Sequence, residues 1–129
     1  MSDGETLPTP IEKRFYGEIL AGMDRLKREI GYLAPRFRQM VAQYGGVQAA
    51  KQLLRGRDAS DGFTTLWEHH RLEMSVEATA LLPWYRSLFD ASELEVAERR
   101  LTEHGFDVER YLRHAAEQPP AWANNQSAN

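Results

Sequence analysis

The feature that most constrains the fold is a run of apolar residues near the N-terminus at helical spacing. Steps of three and four residues connect Ile11, Phe15, Ile19, Met23, Leu26, Ile30 and Leu33. This spacing puts them on one face of an α-helix of about five turns. Thr9 and Glu12 have the spacing of an N-terminal capping box, Pro10 suits the first helical position, and Gly31 suits the other end. We expect this long amphipathic helix to bury its apolar face within the domain or, as an alternative, in a homodimer through the N-terminal helix.

Shorter segments of the same kind fill the rest of the chain. Pro35, Ser75, Asp90 and Asp107 are helix-start residues that precede apolar residues at helical spacing, and Gly105 suits a helix end. No segment combines two-residue alternation with hairpin turns, which a strand would require. The sequence therefore predicts an all-α fold, a single compact bundle of about seven mostly short helices with one long N-terminal helix.

Composition places the chain among soluble globular domains. Its 129 residues are 42% apolar and 27% charged, which suits one domain over residues 9–116 between disordered ends at 1–8 and 117–129. The absence of cysteine excludes disulfide scaffolds and thiolate zinc sites. The start "MSDGETLPTP" lacks the pattern of a secretory signal, and no apolar run approaches the roughly 20 residues of a membrane span. We expect a cytoplasmic protein.

Charge is sorted along the chain although the net charge is only -3. The segment from Arg25 to Arg57 has eight basic residues and one acidic residue, whereas the segment from Asp90 to Glu109 has seven acidic residues and two basic residues. Such sorting suggests a basic surface that faces a polyanion. The alternative is that the two segments pack together and neutralise each other.

The stretch "GGVQAAKQLLRGR" has polar residues at i, i+3, i+4 and i+7, namely Gln48, Lys51, Gln52 and Arg55. These side chains suit recognition of the DNA major groove, because the amide groups can pair with adenine and the cations can reach guanine or phosphate. Two short helices joined by glycines could also form a helix-turn-helix. The same residues are also common on the solvent face of an ordinary helix. The predicted macromolecule-binding residues are Arg36, Arg38, Gln48, Lys51, Gln52, Arg55, Arg57 and Arg71. A pI of 5.8 weighs against a dedicated DNA-binding domain.

A cluster of histidines and carboxylates around residues 68–73 is the best candidate for metal chemistry. His69 and Glu73 would share a helix face, but two ligands do not make a catalytic zinc site, which needs three. We expect His70 to lie at the edge of the core beside Phe63 and Trp67, and His69 to be exposed. The sequence predicts no metal and no cofactor.

Other catalytic constellations are also missing from the sequence. Glu73 and Glu77 have the spacing of an acid and base pair, but Glu77 is better explained by the positive end of a helix dipole. No serine lies in a glycine-flanked elbow, and no phosphate-binding loop is present. We therefore predict that the protein is not an enzyme. Among the aromatic residues, Tyr85 and Trp122 are expected to be exposed, and the segment around Trp122 could dock on a partner as an extended peptide.

Three longer stretches resemble an uncharacterised family of short all-α bacterial proteins. They read "RFRQMVAQYGGVQAAKQLL", "SDGFTTLWEHHRLEMSVEATALLPWYRSLF" and "ELEVAERRLTEHGF". The resemblance implies a bacterial helical protein and carries no activity, substrate or site residue with it. The charge sorting and the absence of a reaction centre together predict a non-catalytic accessory or adaptor domain that binds a protein partner. The alternative is a nucleic-acid-binding helical module that uses the basic face of residues 36–57.

Overall fold

The computed structural model describes residues 7–123, which form helices and no strand, so the all-α prediction is confirmed. The α-helices are α1 (Pro10–Ile30), α2 (Pro35–Tyr44), α3 (Gly46–Arg55), α4 (Asp61–Glu68), α5 (Val76–Leu81), α6 (Ala91–Glu103) and α7 (Val108–Glu117). Two short 3-10 helices lie at Leu72–Met74 and Arg86–Leu88. No helix in this part of the chain has the length and hydropathy to cross a lipid bilayer. The chain divides into an N-terminal unit, residues 1–50, and a C-terminal unit, residues 51–129, and α3 crosses the boundary.

The N-terminal unit is built on α1, whose ends are those that the sequence predicts. The Thr9 hydroxyl accepts a hydrogen bond from the backbone N–H of Glu12, and the Glu12 carboxylate accepts one from the N–H of Thr9 at 2.8 Å. Gly31 closes the helix in the left-handed region, at φ 69°, where glycine has no steric penalty. Phe15, Ile19, Met23 and Leu26 are the buried residues of α1.

The predicted stripe ends earlier than its spacing suggests. Leu33 is 51% exposed, because the left-handed turn at Gly31 changes the chain direction and breaks the helical register. The two glycines that were expected to end α2 have different roles. Gly45, at φ 84°, makes the turn, whereas Gly46 is the first residue of α3. A Cβ atom on Gly46 would lie 3.1 Å from the Cα of Tyr16, so a larger residue here would have to displace α1 by a few tenths of an ångström.

The C-terminal unit is centred on α5, whose six residues are all buried and which packs mainly against α6. Side-chain caps start its helices as predicted. Ser75 caps α5, and Asp107 caps α7. Asp90 and Glu93 form a reciprocal capping box on α6, with hydrogen bonds of 2.9 and 3.0 Å to each other's backbone N–H groups.

Aromatic packing continues into the segment that was predicted to be a tail. Tyr85 is 1% exposed, so the prediction that it lies on the surface is wrong. Its ring centroid lies 5.8 Å from that of Trp122, which is half-buried, and residues 121–123 are helical. The predicted disorder of residues 1–6 and 124–129 falls outside the described residues.

Candidate functional site

Two cations of the predicted binding stripe on α3 are paired with the start of α6. The Lys51 Nζ atom lies 2.7 Å from Glu93 Oε1, and the Arg55 Nε atom lies 2.6 Å from Glu93 Oε2. Asp90 adds a longer contact, with its Oδ2 atom 3.9 Å from Arg55 Nη2. The Glu93 side chain is only 1% exposed. We refer to Lys51, Arg55, Asp90 and Glu93 as the α3–α6 charge cluster.

The charges of this cluster cancel one another. Burial alone would raise the pKa of Glu93, but hydrogen bonds from Lys51, the Asp90 N–H and Arg55 outweigh it and lower that pKa below its usual value. The pKa of Asp90 is also lowered, first by a hydrogen bond from the Glu93 N–H. Both carboxylates are therefore ionised at neutral pH, opposite two cations. The sequence left open whether the basic and acidic segments neutralise each other, and for Lys51 and Arg55 they do.

The other predicted binding residues divide between the two units: Arg36, Arg38 and Gln48 belong to the N-terminal unit, and Gln52, Arg57 and Arg71 belong to the C-terminal unit. Arg36, Gln48, Gln52 and Arg57 are exposed, whereas Arg38 and Arg71 are half-buried. Arg38 donates a hydrogen bond from Nε to the carbonyl oxygen of Leu33. The predicted set is thus a mixture of exposed polar groups and of cations that already have partners.

An apolar groove of 340 Å³ opens in the N-terminal unit between α1 and the turn from α2 to α3. It is lined by Pro8, Glu12, Lys13, Tyr16, Tyr44, Gly45, Gly46, Val47 and Gln48. Tyr16 is 42% exposed and Tyr44 is 44% exposed. We call this feature the Tyr16–Tyr44 groove. Two half-exposed tyrosine rings beside a glycine pair offer apolar surface together with hydroxyl groups.

A buried ion pair lies at the centre of the C-terminal unit. The Arg100 guanidinium donates to Glu77 Oε2 at 3.2 Å, to the Leu53 carbonyl at 3.0 Å and to the Gly56 carbonyl at 2.6 Å. Arg100 is 5% exposed and Glu77 is 2% exposed. Burial raises the pKa of Glu77, and its own backbone N–H and Arg100 oppose that effect. This arginine therefore joins α5 and α6 to the carboxyl end of α3.

The histidine that packs against the aromatic side chains is His104, not His70. The His104 ring meets those of Phe63 and Trp67 edge to face, at centroid distances of 4.8 and 5.3 Å. Its Nδ1 atom lies 2.8 Å from the Arg100 carbonyl oxygen, so the neutral ring carries its proton on Nδ1. His70 is exposed at φ 58°, because α4 ends at Glu68 and the chain turns there.

Glu73 and Glu77, which have the sequence spacing of an acid and base pair, differ in burial. Glu73 is exposed, whereas Glu77 is buried against Arg100, so these carboxylates occupy different environments. Between residues 7 and 123, no three His, Asp or Glu side chains lie close enough together to hold a metal ion. Comparison of the chain with models of protein families, with curated proteins and with solved structures returns no match.

Proposed function

We propose that this chain is a non-catalytic bacterial adaptor domain that acts in the cytoplasm by binding a partner protein. The observation that supports this proposal best is the Tyr16–Tyr44 groove, which leaves two large aromatic side chains half-exposed on one face of the N-terminal unit. Tyrosine is enriched at protein interfaces because its ring contributes contact area and its hydroxyl forms a hydrogen bond. In this proposal, an apolar side chain of the partner fills the groove.

The α3–α6 charge cluster favours a protein partner over nucleic acid. Affinity for nucleic acid depends mainly on cations that replace the counterions of phosphate groups. Lys51 and Arg55 are the two cations of the predicted recognition stripe, and both are held by Glu93. To contact phosphate, Lys51, whose side chain is only 16% exposed, would have to leave the buried carboxylate, which is costly. The charge of Arg55 is neutralised by Glu93 and Asp90, which weakens its attraction for phosphate.

The experiment compares three forms of the protein: the wild type, Tyr44→Glu and Gln52→Glu. Both substitutions add one negative charge at an exposed position, but only Tyr44 lines the groove. Each form is immobilised and exposed to bacterial lysate, and the retained protein is then purified and titrated by calorimetry. We expect one and the same protein to bind the wild type and Gln52→Glu, and to be lost with Tyr44→Glu. Binding that is equal for all three forms, or the absence of any such protein, contradicts the proposal.

A mobility-shift assay at low salt tests the nucleic-acid alternative. We expect no complex with wild-type protein at micromolar concentration, and a weak, salt-sensitive complex with Glu93→Gln, because this substitution removes the charge that neutralises Lys51 and Arg55. A wild-type complex that weakens with salt and disappears in Lys51→Glu/Arg55→Glu would instead favour the nucleic-acid module.

A further inference from the structure

The outer face of α1 carries four residues at the spacing of a helix–helix seam. Lys13, Gly17, Leu20 and Asp24 follow one another at steps of four, three and four residues, and all of them are exposed. At 3.6 residues per turn, they lie within about 60° of the helix circumference and extend over about 16 Å. The buried stripe of α1 lies on the other side of the helix, so this face is separate from the core contact.

The four residues match one another when their order is reversed. About a midpoint between residues 18 and 19, Lys13 corresponds to Asp24, which has the opposite charge, and Gly17 corresponds to Leu20, which supplies the bulk that glycine lacks. Two antiparallel copies related by a two-fold axis would therefore make every contact twice. In such a pair, each lysine faces a carboxylate, and each leucine faces a glycine.

The charged groups at the ends of the seam are accessible. The Lys13 ammonium forms no ion pair or hydrogen bond with the side chains described between residues 7 and 123. The Asp24 carboxylate accepts a hydrogen bond from Arg28 Nε at 3.1 Å, and both side chains are about two-thirds exposed, at 66% and 67%. A carboxylate has room for several donors, so Asp24 can accept a second cation.

Gly17 is not required by the packing of its own chain. A Cβ atom built on it would meet nothing within 4 Å, and its backbone is not in the left-handed region. Glycine in a helix interior is unfavourable relative to alanine. A glycine here would allow a bulky side chain of another molecule to approach the helix backbone closely. Gly22 has the same open surroundings but lies away from the seam, so it serves as a control position.

We propose that α1 docks antiparallel on α1 of a second copy of this chain, with Leu20 against the partner's Gly17 and Lys13 bonded to the partner's Asp24. This inference rests on the proposed protein-binding function, to which it adds a second copy of the chain as one partner. The contact is small, and we expect a weak dimer that forms at high protein concentration and is weakened by salt.

Sedimentation velocity over a concentration series at low salt tests the charge pairing. Lys13→Glu and Asp24→Lys should each weaken the dimer about tenfold, because each substitution changes two symmetric ion pairs into repulsions. An equimolar mixture of the two variants should recover the association as a heterodimer, since both repulsions become attractions. Glu98→Lys, at an exposed position on α6, should leave the dimer unchanged. A wild type that stays monomeric at all concentrations, or a mixture that associates no better than its components, overturns the inference.

Gly17→Leu tests the close approach without a change of charge. Circular dichroism should show a folded chain, because the added side chain points into open space, while the dimer should be lost. Gly22→Ala should keep the dimer, and a dimer that survives Gly17→Leu contradicts the proposed seam. Lys13 also lines the Tyr16–Tyr44 groove, whereas Gly17 does not. Gly17→Leu therefore tests the dimer alone and Tyr44→Glu tests partner capture alone, so failure of the dimer and failure of partner capture can be told apart.

Discussion

Replacement of Arg100 by methionine should strongly destabilise the C-terminal unit. The substitution keeps much of the aliphatic length but removes the guanidinium that binds Glu77, Leu53 and Gly56. Glu77 would then be left 2% exposed without its cation. Removing one partner of a buried ion pair costs about 3–5 kcal/mol. Because the pKa of Glu77 is already raised, the carboxylate can take up a proton, and we expect a cost near the lower bound, about 3 kcal/mol.

The double variant Glu77→Leu/Arg100→Met distinguishes an ion pair from general packing. Removing both charges leaves no buried ion, and the Gly56 carbonyl belongs to an exposed residue that water can reach. We therefore expect the double variant to lose only about 1–2 kcal/mol. It should be more stable than Arg100→Met alone. Such a non-additive effect of two substitutions on the free energy of unfolding arises only when the two residues interact.

Urea unfolding followed by tryptophan fluorescence measures these differences. The three tryptophans, Trp67, Trp84 and Trp122, all belong to the C-terminal unit, so the signal reports on the part of the chain that contains Arg100. Free energies come from linear extrapolation at pH 7. A single variant that loses less than about 1 kcal/mol, or a double variant that loses the sum of both single changes, would refute the buried ion pair as a stabilising contact.

Three further predictions concern other contacts. Glu93→Gln should lower the free energy of unfolding by about 1–3 kcal/mol at pH 7. Because the folded chain lowers the pKa of Glu93, the wild type loses this extra stability as the pH falls below about 4.5. The urea unfolding midpoints of the two forms should therefore converge in acid. Gly22→Ala and Gly17→Ala should each stabilise the monomer by about 0.5–1 kcal/mol in thermal unfolding, because neither new methyl group meets an atom within 4 Å. A loss of stability would contradict the open space around these two positions. Trp122→Ala should cost about 1–2 kcal/mol through lost contact with Tyr85, measured by thermal unfolding, and an unchanged midpoint would argue against that contact.

Helix ends are the part of this fold that the sequence predicts best. The capping box at Thr9–Glu12 and the cap residue Asp90 follow from the sequence alone, and both caps form. Such signals are local, because the donor and acceptor belong to the same turn of helix. The prediction that Leu33 belongs to the buried stripe is wrong, because the apolar spacing continues past Gly31 while the helix ends there.

The charged core of the C-terminal unit could not be predicted in the same way. Charged side chains are usually assigned to the solvent, so Glu77 was interpreted only as a helix-start residue. One signal was available in the sequence of α6. Glu93, Ala97 and Arg100 are spaced at i, i+4 and i+7, and the two ions therefore share the face of the buried alanine. Their partners lie far away in the sequence, so periodicity could not identify them.

The contacts of Arg100 join parts of the chain that are synthesised at different times. Its acceptors at Leu53 and Gly56 lie 47 and 44 residues earlier, and a ribosome releases the chain from its N-terminus. The carboxyl end of α3 therefore emerges well before the guanidinium that binds it, and until then water must hydrate those two carbonyl groups. A nascent chain that stalls before residue 100 would therefore lack the contacts that tie the carboxyl end of α3 to α6.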